Sequence, residues 1–250
     1  MFKEKHFSDE SYIEIIQTVK AHGYEFVKLT DDMSDKKVKR FLLRHDVDIS
    51  PDGALKLGKM EADNNVVSNF FFQLNAETYQ MLSPSCIKIC KELQTMGHLV
   101  GLHVDSALFS EEEDKIKGTI DWIRDNLFPM DCAISFHRPL PVSLGKKYAG
   151  FVSAYDKDFF NTDFYASDSR GEDRFYEKLE FLLNADVSFI QLLLHPCWWE
   201  NETDKREIYK AISKRKQNDL NEYLLNNFPK VFGSVIHDFT KKQNIKCGGQ

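Results

Sequence analysis

The chain has 250 residues, of which 42% are hydrophobic and 29% charged, with a formal net charge of −6 and a pI near 5.8. This length predicts one domain with a substantial core. The acidic balance argues against a nucleic-acid-binding protein, which needs a clustered basic face. No stretch approaches the roughly 20 apolar residues of a membrane span, and residues 1–6 lack the apolar core of a secretory signal. Five scattered cysteines favour reduced thiols and a cytoplasmic location.

Apolar, strand-like runs alternate with helix signals along the chain. The predicted strands are 41–47, 66–74, 98–104, 133–136, 162–166 and 187–194. The predicted helices run from Ser50 to Met60, from Ser83 to Gly97 and from Glu111 to Leu127. The first two begin with Ser-Pro, an N-cap followed by proline in the first turn. Repeated β-α units with continuous apolar strands predict a parallel sheet covered by helices, and so an α/β fold of the distorted (β/α) barrel type. We expect one domain over 1–250, with a core at about 41–240 and a flexible tail at 241–250.

Two carboxylates follow the first predicted strand. Asp46 and Asp48 alternate with Val47, so an extended backbone points both side chains the same way. Burying two carboxylates is unfavourable unless a cation or hydrogen-bond donors compensate. A metal ion beside a general base would explain the pair. The alternative is a helix N-cap, which either Asp48 or Ser50 can supply.

Titratable groups follow five of the predicted strands. They are Asp46 with Asp48, His103 with Asp105, His137 with Arg138, Asp168, and His195. The C-terminal ends of parallel strands share one face of an α/β fold, where ligands bind. Carboxylates with neutral imidazoles are the ligand set of a zinc-like hydrolytic centre. The sequence therefore predicts that these side chains converge.

Several motifs occur in an order that resembles a known family. They are Asp46 with Asp48, Asn-Phe-Phe-Phe at 69–72, Gly-His-Leu-Val-Gly-Leu-His at 97–103, Phe-His-Arg-Pro at 136–139 and Leu-Leu-His at 193–195. Together they resemble the polysaccharide deacetylase family (carbohydrate esterase family four, the NodB-homology domain), over about 41–199. The likeness is to a divergent branch found among surface-polysaccharide biosynthesis proteins. It implies a distorted (β/α) barrel that removes acetyl groups from N-acetylated sugars with one divalent metal.

The resemblance also implies roles for individual residues. The implied roles are general base for Asp46, metal ligands for Asp48 and His103, orientation of the base for Arg138, the acid of a following motif for Asp168, and general acid for His195. Two departures stand out: Val47 separates the acids, and Ala107 stands where the family has a second metal histidine. The third ligand is then His137, Asp105 or water. Zinc is the expected ion, with cobalt, nickel and manganese as alternatives.

The expected substrate is an acetylated sugar or sugar-nucleotide precursor. The sequence does not indicate whether an N-acetyl or an O-acetyl group is removed. Trp198 and Trp199 are candidates for an apolar platform under the sugar ring, although we expect one of them in the core. The sequence does not indicate the oligomeric state.

Four alternative functions have some support in the sequence. One is a metal-dependent barrel hydrolase of another small amide. A second is a non-catalytic carbohydrate-binding barrel that lacks a complete metal site. Ala107 favours it, and the intact Asp46, Arg138 and His195 oppose it. A helical His-Asp phosphohydrolase built on His45 conflicts with a strand at 41–47. A two-carboxylate glycosidase leaves the histidines unexplained.

Overall fold

The computed structural model describes residues 2–3, 5–35, 37–109, 112–199 and 205–237. The strands are β1 (Tyr24–Phe26), β2 (Lys39–Val47), β3 (Asn69–Gln73), β4 (Asn75–Ala76), β5 (Tyr79–Gln80), β6 (Leu99–Asp105), β7 (Ala133–His137), β8 (Val152–Ser153), β9 (Tyr165–Ser167) and β10 (Phe189–Leu194). The helices are α1 (Asp9–Ala21), α2 (Pro51–Asp63), α3 (Pro84–Thr95), α4 (Ser106–Phe109), α5 (Glu113–Asn126), α6 (Glu172–Asn184) and α7 (Lys205–Asn227). None of these described helices combines the length and hydropathy that a membrane crossing requires.

Eight of the described strands form one parallel sheet. Its order is β8-β7-β6-β3-β2-β10-β9, and β1 pairs with the first residues of β2. The strands β8 and β9 are the edges, so the sheet is a half-barrel and not a closed ring. Helices cover its outer face, and the predicted (β/α) barrel fold is confirmed.

The ends of the predicted helices agree with the local chemistry. Ser50 caps α2 through its side chain, which accepts the N–H of Gly53, and Pro51 occupies the first turn. Ser83 caps α3 in the same way. Because Ser50 supplies the cap of α2, Asp48 is not needed for that role.

The inward-facing side chains of the half-barrel form layers along the strands. The lowest layer is apolar and includes Leu42, Phe71, Leu99, Ala133 and Ala154. Two residues further along β2, Arg44 begins a polar layer. At the strand ends lie the carboxylates and imidazoles. Gly101 fits the narrow interior because a Cβ there would lie 2.3 Å from the carbonyl oxygen of Ala133 on β7.

The outward face of β2 carries a different buried cluster. His45 points under the helices, where its Nε2 lies 2.6 Å from Glu61 Oε1 on α2. The other oxygen of Glu61 accepts a hydrogen bond from Ser68 and lies 3.5 Å from His98 Nδ1. Burial would raise the pKa of Glu61, but His45 and His98 outweigh it and lower that pKa. His45 therefore stabilises the outer core, and a phosphohydrolase built on a helical His-Asp pair is excluded.

The core begins earlier in the chain than the predicted start at residue 41. Phe2, Phe7 and Tyr12 pack with the outer face of β2 and with α6. The chain divides into two compact units, Met1–Thr203 and Asp204–Gln250. The second unit contains α7, which has no buried residue. The domain limits stay a prediction, and the predicted tail at 241–250 lies outside the described residues.

Candidate functional site

Side chains from β2, β6, β7 and the end of β10 meet at the C-terminal end of the half-barrel. His103, at the end of β6, places its Nε2 3.1 Å from Asp48 Oδ1 and 3.7 Å from Asp46 Oδ2. His137 Nδ1, from β7, lies 3.2 Å from the same Asp48 oxygen. His195 Nε2, directly after β10, lies 3.7 Å from Asp48 Oδ2. The parallel strand order brings these ends together, as the alternation of Asp46 with Asp48 led us to expect.

Three of these side chains form a candidate metal site. Ligand atoms of Asp48, His103 and His137 all lie within 4.8 Å of one another. Gln73 donates a 2.8 Å hydrogen bond from Nε2 to Asp48 Oδ1, which holds that carboxylate in place. One carboxylate and two imidazoles are a donor set that zinc and similar divalent ions favour.

The structure gives Asp105 a different role from the predicted one. Its Oδ1 accepts the backbone N–H of Ala107 at 2.9 Å, at the start of α4. Asp105 is therefore outside the candidate metal group, in which His137 is the third donor beside Asp48 and His103. The turn into α4 holds the Asp105 carboxylate against its own chain.

Arg44 orients Asp46, in the place predicted for Arg138. Arg44 Nε donates to Asp46 Oδ1 at 2.9 Å and Nη2 donates to Oδ2 at 2.6 Å, a two-point contact between buried groups. Arg138 is exposed and adopts a left-handed backbone, with φ of 57°, directly after β7. No ion pair joins it to Asp46 in the part of the chain that the structure describes. Arg44, and not Arg138, is therefore the arginine in contact with Asp46.

Further inward-facing residues lock Arg44. Its Nη1 donates to Gln191 Oε1 at 3.1 Å, and its Nη2 donates to Tyr155 Oη at 3.0 Å and to Ser135 Oγ. Ser135 in turn donates to Asp46 Oδ1 at 2.9 Å. Burial lowers the pKa of the Arg44 guanidinium, but Asp46 outweighs it and the pKa is raised. Burial raises the pKa of the Asp46 carboxyl, but Arg44 and then His103 outweigh it, so Asp46 is held ionised.

His195 and Asp168 form a second pair on the opposite wall. Asp168 Oδ1 lies 2.6 Å from His195 Nδ1, and its Oδ2 accepts the His195 backbone N–H at 2.7 Å. Burial lowers the pKa of His195, but Asp168 outweighs it and raises that pKa to about 9. The pairing through Nδ1 directs Nε2 towards Asp48. Asp168 therefore fixes one ring nitrogen of His195 and favours its protonated form.

The two tryptophans after His195 differ in their surroundings. Trp199 is buried against Phe7 and Tyr12, and its Nε1 donates to Asp168 Oδ2 at 3.2 Å. It therefore packs in the core and fixes Asp168, and the prediction that it binds substrate is replaced by this role. Trp198 is half-buried at the edge of the same core, and its contact with a sugar stays a prediction.

Several site residues were missed at the level of sequence. Arg44 had a usable signal, because it stands two residues before Asp46 and therefore shares its face of β2. Gln191 had a weaker sequence signal, because it is a single amide side chain within an apolar strand. Ser135 and Tyr155 carried none, since their contact with Arg44 depends on the order of strands and the curl of the sheet.

Neither a protein-family model nor a curated protein matches this sequence. The solved structures it is similar to include a CE4 esterase of Streptococcus mutans, at 16% identity and a TM-score of 0.42, covering 80% of this chain and 91% of that one. Another is the catalytic domain of a peptidoglycan N-acetylglucosamine deacetylase of Eubacterium rectale, at 12% identity and a TM-score of 0.40. The match covers 72% of this chain and 84% of that one. A third is a peptidoglycan deacetylase of Bdellovibrio bacteriovorus, at 16% identity and a TM-score of 0.38. The match covers 78% of this chain and 53% of that one, so this chain spans about half the length of that protein.

Proposed function

We propose that the protein is a metal-dependent hydrolase that removes an acetyl group from an acetylated sugar or sugar precursor. The observation that carries the proposal is the arrangement of two differently tuned groups around one donor set. Asp46 is held ionised and lies 3.7 Å from His103 Nε2, while His195 is held protonated and lies 3.7 Å from Asp48 Oδ2. Pairs of groups whose surroundings push their pKa values apart are typical of acid–base catalysis.

A divalent metal fits the residues present. The two imidazole nitrogens of His103 and His137 approach the same oxygen of Asp48, at 3.1 and 3.2 Å, so the three donors converge on one point. These three residues would hold the ion. A bound ion would act as a Lewis acid on the acyl oxygen and lower the pKa of an adjacent water. We propose zinc as the ion, with cobalt, nickel and manganese as alternatives.

The protein residues then divide the proton transfers between them. Asp46 takes a proton from the attacking water, and Arg44 keeps the carboxylate ionised and oriented during that step. His195 gives the proton on Nε2 to the departing amine, while Asp168 holds Nδ1 and stabilises the imidazolium. Trp199 and the His195 backbone N–H fix Asp168 in turn. The expected substrate is a precursor in surface-polysaccharide metabolism, and a cytoplasmic location stays a prediction from the sequence.

Acetate release tests the proposal directly. Purified protein loaded with excess zinc, cobalt, nickel or manganese is assayed on a panel of N- and O-acetylated sugars and sugar nucleotides. Asp46→Asn should keep the fold and the metal but lower turnover by about 10²–10⁴, the usual contribution of a general base. Asp125→Asn, an exposed position on α5, is the matched control and should leave turnover unchanged.

A comparison of two substrates tests the role of His195 as the acid separately from that of Asp46 as the base. His195→Ala should lower turnover of an amide more than that of an activated aryl acetate, whose leaving group needs little protonation. Equal losses on both substrates would contradict the acid role. Metal-loaded protein that binds acetylated sugars but releases no acetate from any of them would favour the non-catalytic carbohydrate-binding protein instead.

A further inference from the structure

A pocket of about 540 Å³ lies beside the open edge of the half-barrel. The edge strand β9 forms one wall through Tyr165 and Ser167, and the start of α6 forms the other. We name it the basic pocket, after three of its lining residues: Arg170, Arg174 and Lys178.

The three cations of the basic pocket are not paired with acids within the described residues, and Lys178 Nζ lies 5.3 Å from the centroid of the Phe181 ring. None of them makes an ion pair or a hydrogen bond within the described residues, and Glu177 is the single carboxylate among the residues that line the pocket. Arg174 and Lys178 are four residues apart on α6 and so share one side of the helix, a spacing at which like charges destabilise. A concentration of positive charge on a chain of net charge −6 needs a reason beyond solubility.

Other carboxylates of α6 are engaged elsewhere. Glu172 accepts the backbone N–H of Phe7 at 2.9 Å, and Glu180 accepts that of Phe2 at 3.0 Å and pairs with Lys5. These contacts hold the N-terminal segment against α6. Glu172 and Glu180 are therefore committed to contacts with the N-terminal segment and not to the arginines of the pocket.

The basic pocket is joined to the candidate site through its own wall. Directly after Ser167 the chain reaches Asp168, which pairs with His195. A row of aromatic rings gives a second connection: Tyr165 contacts Phe160 with ring centroids 5.1 Å apart, and Phe160 contacts Tyr155 at 5.0 Å. The hydroxyl of Tyr155 accepts from Arg44, the residue that holds Asp46. Asp168 thus connects the wall of the pocket with His195, and the row of rings connects it with Arg44.

We propose that the basic pocket binds the phosphate or pyrophosphate group of the substrate, so that the acetylated sugar is delivered as a phosphate ester. This inference rests on the proposed function and narrows its substrate class. Arginine guanidinium groups match phosphate oxygens in pairs, and lysine adds a point charge, which suits a diphosphate better than a neutral sugar chain. The phosphate ester is either a soluble sugar nucleotide or a lipid-linked sugar diphosphate, and the experiment below distinguishes the two.

Binding of inorganic pyrophosphate tests the pocket without any need for catalysis. Isothermal titration at low ionic strength should show binding that Arg174→Glu weakens by about tenfold or more, the loss expected for a charge-assisted contact. Arg174→Lys should keep part of the affinity. Lys91→Glu, at an exposed position on α3, makes the same change in net charge and should leave binding intact. Equal weakening by Lys91→Glu, or no binding by the wild-type protein, would overturn the proposal.

Acetate release then connects the pocket to the substrate. A phosphorylated acetylated sugar should be turned over with a lower KM than its dephosphorylated form, and Arg174→Glu should raise the KM of the first alone. Faster release from a sugar nucleotide identifies the soluble source, and faster release from vesicles holding a lipid-linked sugar diphosphate identifies the other. Equal KM values for phosphorylated and neutral forms would refute the proposal. No release from any substrate would refute the proposed function, while the pyrophosphate titration would still decide whether the pocket binds anions.

Discussion

The contact between Arg44 and Asp46 gives a quantitative prediction for Arg44→Met. Both side chains are buried, with Arg44 fully enclosed and Asp46 3% exposed. Methionine fills a similar length of the interior but leaves the Asp46 carboxylate without its counter-ion. The remaining donor to that carboxylate from the same cluster is the hydroxyl of Ser135.

The expected loss is large because a buried charge is left uncompensated. At an effective dielectric constant of about 20, unit charges about 4 Å apart attract by about 4 kcal/mol. Removing one partner of a buried pair commonly costs about 3–5 kcal/mol. We therefore expect Arg44→Met to lower the free energy of unfolding by about 3–5 kcal/mol near pH 7. A part of that loss should be recovered when Asp46→Asn is added.

The pH dependence gives the sign of the effect. In the wild-type protein the folded pKa of Asp46 lies below its unfolded value of about 3.9, so its stabilisation is present above that pH and is lost as pH falls. In Arg44→Met the strongest contribution that opposes burial is lost, so the folded pKa of Asp46 rises. The difference in stability between the two proteins should therefore grow as pH rises through about 4.

Urea unfolding in the presence of a chelator measures these values, because a bound cation would itself stabilise Asp46. Ser135→Ala, which removes a neutral hydrogen bond, serves as the control and should cost about 0.5–1.5 kcal/mol. A loss below about 1 kcal/mol for Arg44→Met would refute the reasoning. The reasoning would also be refuted if the double variant Arg44→Met/Asp46→Asn lost as much free energy of unfolding as the two single variants together.

Three further predictions concern the site and its support. Asp48→Ala should lower the zinc or cobalt content measured by elemental analysis after saturation, and an unchanged stoichiometry would rule out the assigned donor group. Asp168→Asn should shift the alkaline limb of the activity profile to lower pH, because Asp168 holds the pKa of His195 near 9; a limb that stays in place would show that another group titrates there. Gly101→Ala should destabilise the fold by about 1–3 kcal/mol or more in thermal unfolding, since the added Cβ meets the backbone of β7 at 2.3 Å; a variant as stable as the wild type would show that the strands can separate at no cost.

The strand ends were predictable from the sequence because alternation is a local property. Asp46 and Asp48 on one side of β2, and His103 at the end of β6, follow directly from a side-chain period of two and from parallel pairing. The helix cap at Ser50 was equally local. These features depend on a few consecutive residues, and the structure places them as expected.

The partners of Asp46 were not predictable in the same way. The motif at 136–139 suggested Arg138, but that residue is exposed in a left-handed conformation after β7 and Arg44 contacts Asp46 instead. Tyr155 and Gln191 contact Arg44 only because the half-barrel curls and brings together strands that are distant in sequence. Sequence periodicity specifies the face on which a residue lies, and the curl of the sheet decides which faces meet.

The strict alternation of β2 makes this strand sensitive to changes in length. Arg44 and Asp46 belong to the inner cluster, while His45 between them belongs to the outer one. Deleting or inserting one codon upstream within the strand would exchange the two faces and bring an imidazole inward in place of a carboxylate. Both clusters would lose their partners in a single step. Natural variation in this strand should therefore proceed by substitution, and length variants should be confined to the loops around it.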